Sequence, residues 1–375
     1  MIALLAPPWS QLPADQMASG NDYLIQDAAR AMATETPVAV VCRAVPGRAE
    51  PDGFRYLDFH LEVGEGYTAP SALDRYARMA AESLRRLDAH SVVVLQPAEL
   101  VPVLKMHAPT CRILLLASSH HLYRADDYYG YGALSHQQAQ DTLSAADVVL
   151  TVSAFLSNCI AHVHPAFAEK LAVLPQGVND EYFQVERGRG RGPRVLYVGR
   201  LEEAKGAGVL AEAFGALYSK YPEATLTFVG DQYGPGPDDF VHQLHRAVEA
   251  QPFSAAVHLA GWAPRSALPS VYAQADIFVH PAVWDESFAS TVLEAKASAV
   301  PVVATDTGGT AEAVAPDRGG LLVAPGDPAA ISAALLAIAG DTTFANQLGT
   351  AGRADASAHY TWARFTQGIR KHTRR

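Results

Sequence analysis

Short apolar runs alternate with amphipathic stretches along the first half of the chain. The apolar runs predict strands at Ile2–Ala6, Val38–Val41, Ser91–Leu95, Arg112–Ala117 and Val148–Thr151. These runs are rich in β-branched residues and leucine, which is typical of strands buried on both faces of a sheet. Between them, Tyr23–Met32 and Ser71–Leu87 carry apolar residues at helical spacing. The alternation of strand and helix predicts a parallel sheet with helices on both sides.

A Gly- and Arg-rich stretch, Glu186–Pro193, separates this series from a second one and has the composition of a linker. The strands predicted after it are Val195–Val198, Thr225–Val229, Val257–Leu259, Ile277–Val279, Val302–Ala304 and Gly320–Val323. The helices predicted after it are Gly206–Lys220, Pro237–Ala250, Pro264–Gln274, Ser290–Ser298, Thr310–Val314 and Pro328–Ala339. The sequence therefore predicts an α/β protein of two Rossmann-like domains, residues 1–185 and 186–360. We expect the domains to face each other at the carboxyl ends of their strands.

Composition restricts the classes of partner and location. The chain is 49% hydrophobic and 18% charged, which is typical of a globular protein, and its net charge of −10 disfavours nucleic acid and an anionic membrane surface. No apolar run reaches the roughly 18 residues of a membrane span, so we expect no stable membrane insertion. The first residues lack the features of a signal peptide, and the three cysteines lack metal or disulfide spacing. These features together favour a cytoplasmic protein. The oligomeric state stays open.

Nucleotide-binding motifs of other Rossmann-like proteins are missing from the sequence. It contains neither Gly-x-Gly-x-x-Gly between strand and helix nor the P-loop pattern. A nicotinamide dehydrogenase and a P-loop kinase are therefore disfavoured.

Two glutamates flank a predicted turn from loop into helix. Glu286 precedes the turn, and Glu294 lies within the helix after it. The N–H groups and the positive dipole end of a helix start can hold a diphosphate without a metal. Glu294 can then accept the two vicinal hydroxyls of a ribose, and Glu286 can face a donor sugar.

A second stretch places two cations where a predicted strand ends. The strand ends at Gly199, where the missing side chain lets a ligand approach the backbone. Arg200 and Lys205 flank this turn. Two cations at this edge can neutralise a leaving diphosphate, as Mg²⁺ does in other transferases.

Through these two stretches and their neighbours, residues 175–327 resemble the retaining GT-B-fold glycosyltransferases of family 4. The pair Glu286 and Glu294 is similar to the Glu-x7-Glu motif of the family, and Gly308–Glu312 is similar to its Gly-Gly-x-x-Glu. Pro175–Phe183 resembles the Pro-Asn-Gly-Val-Asp segment that leads into the interdomain linker. The resemblance implies the GT-B fold, with a C-terminal helix, residues 361–375, that crosses back to the first domain. It also implies transfer with retention from a nucleotide-sugar co-substrate, with no other cofactor and no metal.

The resemblance assigns roles to individual residues. It implies that Arg200 and Lys205 bind the diphosphate, that Glu286 contacts the sugar and that Glu294 binds the ribose. The loop with Gly20 is similar to a family loop near the β-phosphate, and His120 is the expected sugar-contacting histidine, although His121 stays an alternative. The catalytic set is therefore His120, Glu286, Arg200 and Lys205. The donor-binding set is Gly20, Gly199, Arg200, Lys205, Gly261, Trp262, Glu286, Ser287, Phe288, Ala289, Ser290, Thr291 and Glu294, of which Gly261 and Trp262 are candidate walls of the base pocket.

Three positions depart from the family pattern. Ser19 and Ala289 stand where the family has glycine, and so does Ala299. Ala289 requires a backbone conformation that a Cβ tolerates, and we expect only a loop adjustment at Ala299. The charged residues of the motifs are all retained, which favours an active enzyme.

The acceptor and the base are less defined. The Tyr- and Asp-rich residues 123–131 are either an amphipathic edge or an acceptor wall that stacks on a ring and pairs with a cationic group. The acidic composition favours a small soluble acceptor of natural-product or aminocyclitol type. A UDP-sugar is the first choice of donor and a GDP-sugar the second. The alternatives are a GT-B-fold nucleotide-sugar epimerase, a non-catalytic sugar-nucleotide-binding protein, and a transferase acting on a glycolipid or polysaccharide precursor.

Overall fold

The computed structural model describes residues 1–7, 20–43, 54–59, 70–124, 134–188, 190–232, 240–314 and 318–373. The chain forms two compact units. The first unit comprises Met1–Gly177 and Trp362–Arg375, and the second comprises Val178–Thr361.

The division between the units precedes the boundary at residues 185 and 186 that the linker composition suggested. The residues in between attach to the second unit. The backbone N–H of Val178 donates to the carbonyl of Tyr360 at 2.9 Å, and Gly188 N donates to Ala273 O at 3.0 Å. Tyr182 is fully buried, with its ring 5.8 Å from that of Tyr272. The Gly- and Arg-rich stretch therefore lies inside the second unit, because residues that precede it in the chain already make apolar and backbone contacts with that unit.

The first unit is a parallel sheet covered by helices. Within the described residues its seven strands are β1 Ile2–Leu5, β2 Val38–Arg43, β3 Arg55–Phe59, β4 Ser91–Val94, β5 Arg112–Ala117, β6 Val148–Thr151 and β7 Leu171–Val173. They lie in the order β3-β2-β1-β4-β5-β6-β7. Its helices are α1 Gly20–Ala33, α2 Pro70–Arg86, α3 Leu100–His107, α4 His136–Ala145, α5 Ala154–Val163 and the C-terminal α14 Trp362–Thr373. Ile2 pairs with Val38 on one side and with Ser91 on the other, which makes β1 a central strand.

The C-terminal helix belongs to the first unit, as the resemblance implied. Phe365 and Ile369 of α14 are fully buried. Arg370 forms an ion pair with Glu35, which follows α1. At the end of the helix, Arg112 Nε donates to His372 O at 2.7 Å. Apolar burial and these polar contacts hold α14 against the first sheet.

The second unit is also a parallel sheet with helices. Within the described residues its six strands are β8 Arg194–Val198, β9 Thr225–Val229, β10 Val257–Leu259, β11 Ile277–His280, β12 Val302–Thr305 and β13 Gly320–Val323. They lie in the order β10-β9-β8-β11-β12-β13. Its helices are α6 Asp180–Phe183, α7 Ala207–Lys220, α8 Phe240–Glu249, α9 Leu268–Ala273, α10 Ser290–Ala297, α11 Thr310–Ala313, α12 Pro328–Gly340 and α13 Thr342–His359.

Alternate residues of β8 show how the second sheet is buried. Val195 and Tyr197 join one apolar cluster, whereas Leu196 and Val198 join the other. Successive side chains of a strand point to opposite faces, so each face of this sheet has its own core. Two Rossmann-like units, each a parallel sheet with helices, confirm the predicted fold class.

Some predicted elements differ from the structure. The edge strands β3 and β7 were not predicted, and the predicted helix Pro264–Gln274 is a short 3₁₀ helix, Arg265–Ala267, followed by α9. Edge strands are exposed on one side and need no continuous apolar run. Pro269 lies in the first turn of α9, a position where proline is tolerated but does not extend a helix backwards.

Candidate active site

Gly199 and Arg200 follow strand β8 at its carboxyl end. Gly199 N donates to Val229 O of β9 at 3.0 Å, and the hydroxyl of Tyr197 donates to Arg200 O at 2.6 Å. The Arg200 guanidinium lies 3.1 Å from the carboxylate of Glu202. The sequence pattern placed Arg200 at this edge, whereas its pairing with Glu202 was not predicted.

Gly206 brings Lys205 next to the loop after β11. Gly206 has φ 72°, and a Cβ there would overlap the carbonyl oxygen of Pro281. Only glycine permits this left-handed conformation together with such a close approach. Val283 N donates to Ala204 O at 2.9 Å, which ties the two loops together.

The carboxylate of Glu286 is the centre of a polar cluster. It forms an ion pair with Lys205 and accepts a hydrogen bond from Trp284 Nε1 at 3.3 Å. The backbone carbonyl of Glu286 accepts a hydrogen bond from Gly309 N at 2.6 Å. The Gly-Gly turn of the motif therefore fixes the backbone position of Glu286. Burial raises the pKa of Glu286, but Lys205, His280 and the hydrogen bonds together hold it below its ordinary value. Glu286 is therefore ionised at neutral pH although it is only 7% exposed.

His280 at the end of β11 completes this cluster. Its Nε2 lies 4.0 Å from the Glu286 carboxylate, and it has no hydrogen-bond partner among the described residues. Burial lowers the pKa of His280 to about 4, and nearby Lys205 opposes the raising effect of Glu286. The imidazole is therefore neutral at neutral pH and contacts Glu286 without forming an ion pair.

Helix α10 starts without a side-chain cap. Its N-cap residue, Ala289, has φ −96° and ψ 97°, an extended conformation that a Cβ tolerates. The alanine offers no oxygen to the first N–H groups of the helix, and Ser, Thr, Asp or Asn would be preferred there for stability. Ser290 and Thr291 form the first turn. Phe288, just before the cap, packs its ring 5.9 Å from that of Tyr360. The N–H groups at 289–291 thus have the arrangement that an anion can use.

Glu294 lies one turn into α10 and is buried, with polar partners on two sides. Its Oε2 accepts from the Tyr272 hydroxyl at 3.1 Å, and its Oε1 lies 3.8 Å from the Arg265 guanidinium. The Tyr272 hydroxyl oxygen also lies 3.2 Å from Thr291 O. A tyrosine and an arginine therefore orient the carboxylate.

The loop after β10 supplies the candidate base pocket. Gly261 has φ 71°, and its carbonyl accepts from Gly230 N at 2.8 Å. Trp262 is 38% exposed, which is unusual for so large an apolar side chain. Its ring is thus available for stacking.

In the first unit, Gly20 is the first residue of α1, and His120 opens a 3₁₀ helix, His120–Leu122. His120 is 3% exposed, and its ring stacks 5.3 Å from that of His121, which is half-buried. Buried His164 contacts the same turn, with Nε2 2.8 Å from Leu122 O. Ser19 and residues 125–131 of the candidate acceptor wall lie outside the described residues. The roles of Gly20 and His120 stay predictions.

The described residues contain neither a metal-binding cluster nor a single membrane-spanning helix. In the described part of the chain, no group of three or more His, Cys, Asp or Glu residues is arranged to hold a metal ion. No single helix there is long and apolar enough to cross a membrane; α12 and α13 pass that test only as a pair, and they are bent by 104°.

Comparison with known proteins identifies the second unit. The family model for "Glycosyl transferases group 1" matches residues 178–355, which is nearly the whole of that unit. The second unit is therefore similar to the group 1 glycosyltransferases. The chain is a transferase enzyme.

Relatives are similar to this chain over both units, and solved structures share its fold. Spore coat protein SA of Bacillus subtilis is 23% identical over 86% of this chain and 85% of its own length. The D-inositol 3-phosphate glycosyltransferase of Corynebacterium glutamicum is 30% identical over 60% of this chain, which corresponds to 56% of that protein. The crystal structure of Anabaena HepE in complex with UDP and glucose superposes with a TM-score of 0.75 at 17% identity, over 99% of this chain and 98% of HepE. At this identity, the superposition shows that HepE and this chain share their fold.

Sequence reasoning missed several polar residues around the glycosyltransferase motifs. Glu202, His280 and Trp284 contact or face the Arg200, Lys205 and Glu286 side chains, and Arg265 and Tyr272 hold Glu294. Trp284 and His280 lie in the motif stretch itself, so they were available as candidates. Arg265 was hidden, because it comes from a different strand–helix connection.

Proposed function

We propose that this glycosyltransferase transfers a sugar, with retention at the anomeric carbon and without a metal, from a nucleoside diphosphate sugar to a small soluble acceptor. A UDP-sugar is the preferred donor and a GDP-sugar the second choice. The acceptor is a natural-product or aminocyclitol-type molecule, and the reaction takes place in the cytoplasm.

The cluster of Lys205, Glu286 and Trp284 next to the uncapped start of α10 carries this proposal. An ionised carboxylate with an apolar ring beside it suits the hydroxyls and the face of a sugar. The ammonium of Lys205 and the N–H groups at 289–291 suit the diphosphate to which that sugar is attached. A sugar and a diphosphate side by side are the reacting parts of a nucleotide sugar.

Departure of the diphosphate is the step that these residues assist. Negative charge grows on the leaving oxygen as the glycosidic bond breaks. Arg200, Lys205 and the positive end of α10 stabilise this charge, and preorganised stabilisation of this kind is usually the largest contribution to rate. No metal is assigned a part in this step, because the protein supplies both cations and the helix dipole.

Glu294 binds the ribose of the nucleotide in this proposal. Tyr272 and Arg265 contact the two carboxylate oxygens of Glu294. Each carboxylate oxygen can accept more than one hydrogen bond, which suits the two hydroxyls of a ribose. The UDP-bound structure of HepE, which shares the fold, supports UDP as the first choice. The similarity to D-inositol 3-phosphate glycosyltransferase supports a cyclitol-type acceptor.

Thermal stabilisation by nucleotides tests the donor assignment. UDP, GDP, ADP, dTDP and NAD⁺ are compared on the wild type, on Glu294→Gln and on the control Glu212→Gln, whose glutamate is exposed on α7. A ligand that binds only the native state raises the melting temperature with concentration. We expect a rise with one nucleoside diphosphate that is retained in the control. In the Glu294→Gln variant the amide offers one acceptor oxygen in place of the two of the carboxylate, so its affinity for the nucleotide falls about tenfold.

The outcomes separate the alternatives. Stabilisation by NAD⁺ alone, or by no nucleotide, contradicts the donor site. Once the base is known, the matching nucleotide sugar is incubated with cyclitol acceptors in the presence of EDTA. NMR shows the configuration at the anomeric carbon of the product. A configuration that differs from that of the donor contradicts retention. Isomerised donor in the absence of acceptor shows an epimerase instead.

A further inference from the structure

We propose that Glu202 competes with the donor diphosphate for Arg200, so that donor binding displaces this carboxylate and favours its protonation from solvent. The proposal rests on the proposed donor site and adds to it a residue that tunes its affinity and its pH dependence.

The contacts of Glu202 show a carboxylate held through one oxygen only. Its Oε2 lies 3.1 Å from Arg200 Nη1. Its Oε1 is buried and has no hydrogen-bond partner among the described residues. An acceptor that is desolvated without a partner destabilises the ionised form of its group. The pair with Arg200 therefore compensates for only part of the burial of Glu202.

The groups around Glu202 are Arg200, Lys205, Glu286 and Tyr197. Lys205 is already bound to Glu286, so its charge is shared between two carboxylates. Burial raises the pKa of Glu202, against the lowering effects of Arg200 and Lys205, and Glu286 raises it further. Removal of its cation therefore raises the pKa of this carboxyl group further.

A diphosphate has the charge and the geometry to take that cation away. It presents planar pairs of oxygens to a guanidinium and carries more negative charge than a carboxylate. With the diphosphate on Arg200, Glu202 loses its counter-ion and gains an anionic neighbour, and both changes raise its pKa. Donor affinity is then highest below the pKa of Glu202 in the free protein. It falls as the pH rises through the pKa of Glu202 in the complex.

Isothermal titration calorimetry of the full chain tests this coupling. The probe is UDP, or the nucleoside diphosphate that stabilises the wild type in the thermal panel, titrated between about pH 5 and 7 in buffers of different ionisation enthalpy. The variants are Glu202→Gln and, as matched control, Glu203→Gln, whose glutamate is exposed in the 3₁₀ helix Glu203–Lys205 that directly follows Glu202. The ionisation of UDP itself is common to all three proteins, so differences between them report on the protein.

We expect the wild type and the Glu203→Gln control to take up the same fraction of a proton on binding. Glu202→Gln loses the Glu202 contribution to this uptake and binds about threefold more tightly near neutral pH, the size typical of a partly exposed ion pair. Equal proton uptake in all three proteins, or weaker binding by Glu202→Gln, overturns the competition. Failure of the wild type to bind any nucleoside diphosphate overturns the proposed donor site as well.

Discussion

At the residue scale, Ala299 ends helix α10 in the left-handed region with φ 55°. Ala299 N donates to Lys296 O, and Val300 N donates to Ala295 O, both at 2.9 Å, which is the bonding pattern of a Schellman motif. Glycine is the usual residue at this position, since a Cβ there is strained by about 1 kcal/mol. The sequence resemblance flagged the alanine, but the expectation of a mere loop adjustment was wrong, because the backbone keeps the glycine conformation.

Ala299→Gly therefore stabilises the protein. We expect the free energy of unfolding to rise by about 0.5 kcal/mol, since relief of strain is partly offset by the greater freedom of glycine in the unfolded chain. Urea unfolding measures the change. Ala297→Gly, in the last turn of α10, is the matched control and lowers stability by about 1 kcal/mol. A decrease in both variants would contradict the strain at Ala299.

We expect buried His280 to cause a loss of stability in mild acid. Its pKa is lowered by burial from 6.5 to about 4 in the folded protein. Between these values the unfolded chain binds the proton and the folded chain does not. The contribution of neutral His280 is thus complete above about pH 6.5 and declines as the pH falls to about 4, by about 3 kcal/mol in total.

The substitution His280→Gln removes this titration. Unfolding free energies measured across the same pH range then fall less steeply than those of the wild type. The same substitution at the exposed His258 is the control. Parallel curves for wild type and His280→Gln would show that folding does not lower the pKa of His280.

At the element scale, a fully buried lysine fastens α10 to its neighbours. Lys296 Nζ donates to Ala313 O of α11 at 2.6 Å and to Asp355 Oδ2 of α13 at 2.5 Å. Lys296→Met leaves Asp355 with Arg318 at 3.6 Å and His359 at 3.0 Å. Removal of one partner of a buried pair typically destabilises by about 3–5 kcal/mol, and we expect about 3 because two partners remain.

Urea unfolding of Lys296→Met measures this loss, and the double variant Lys296→Met, Asp355→Leu tests its cause. Without the buried carboxylate the double variant regains part of the stability, because no charge is left uncompensated. If the second substitution lowers the stability further by an additive amount, the loss in Lys296→Met is due to packing and not to an uncompensated charge. Unchanged stability of the single variant would contradict the role of the pair.

Elements differed in how well the sequence predicted them, for physical reasons. Central strands such as Arg112–Ala117 and Val148–Thr151 match their predicted bounds, because continuous apolar runs mark burial on both faces. Helix α13, Thr342–His359, was missed, since its buried side is made of small and polar residues such as Gly349, Gly352 and Asp355. Tertiary packing forms this helix rather than a stripe of large apolar residues.

The candidate site shows the same limit. The motif glutamates and the cations at the end of β8 were found from their positions after strands and before a helix. The partners Glu202 and Arg265 were not, because their contacts depend on burial and on loops that meet only in the folded unit. Sequence position predicts which residues reach the edge of a sheet. It does not predict which counter-ion each of them finds there.

At the scale of the whole molecule, the first unit is built from both ends of the chain. Trp362–Arg375 is assigned to it, although the whole second unit lies between. In α14, Phe365 and Ile369 bury their side chains fully, and Ser91 Oγ donates to Thr373 O at 3.2 Å. Deletion of residues 362–375 therefore removes core contacts from the first unit and leaves the second sheet intact.

We expect this deletion to destabilise the first unit by several kcal/mol, since two buried large side chains are worth about 2–5 kcal/mol each. Hydrogen exchange followed by mass spectrometry measures the effect on each unit separately. Protection is lost in β4, β5 and α1, whereas β8, β11 and α10 keep theirs, together with their stabilisation by nucleotide. The matched control is the full-length chain with the substitution Arg364→Ala, on the exposed side of α14. Equal loss of protection in both units would mean that they unfold together, and α14 would then support the whole chain rather than one sheet.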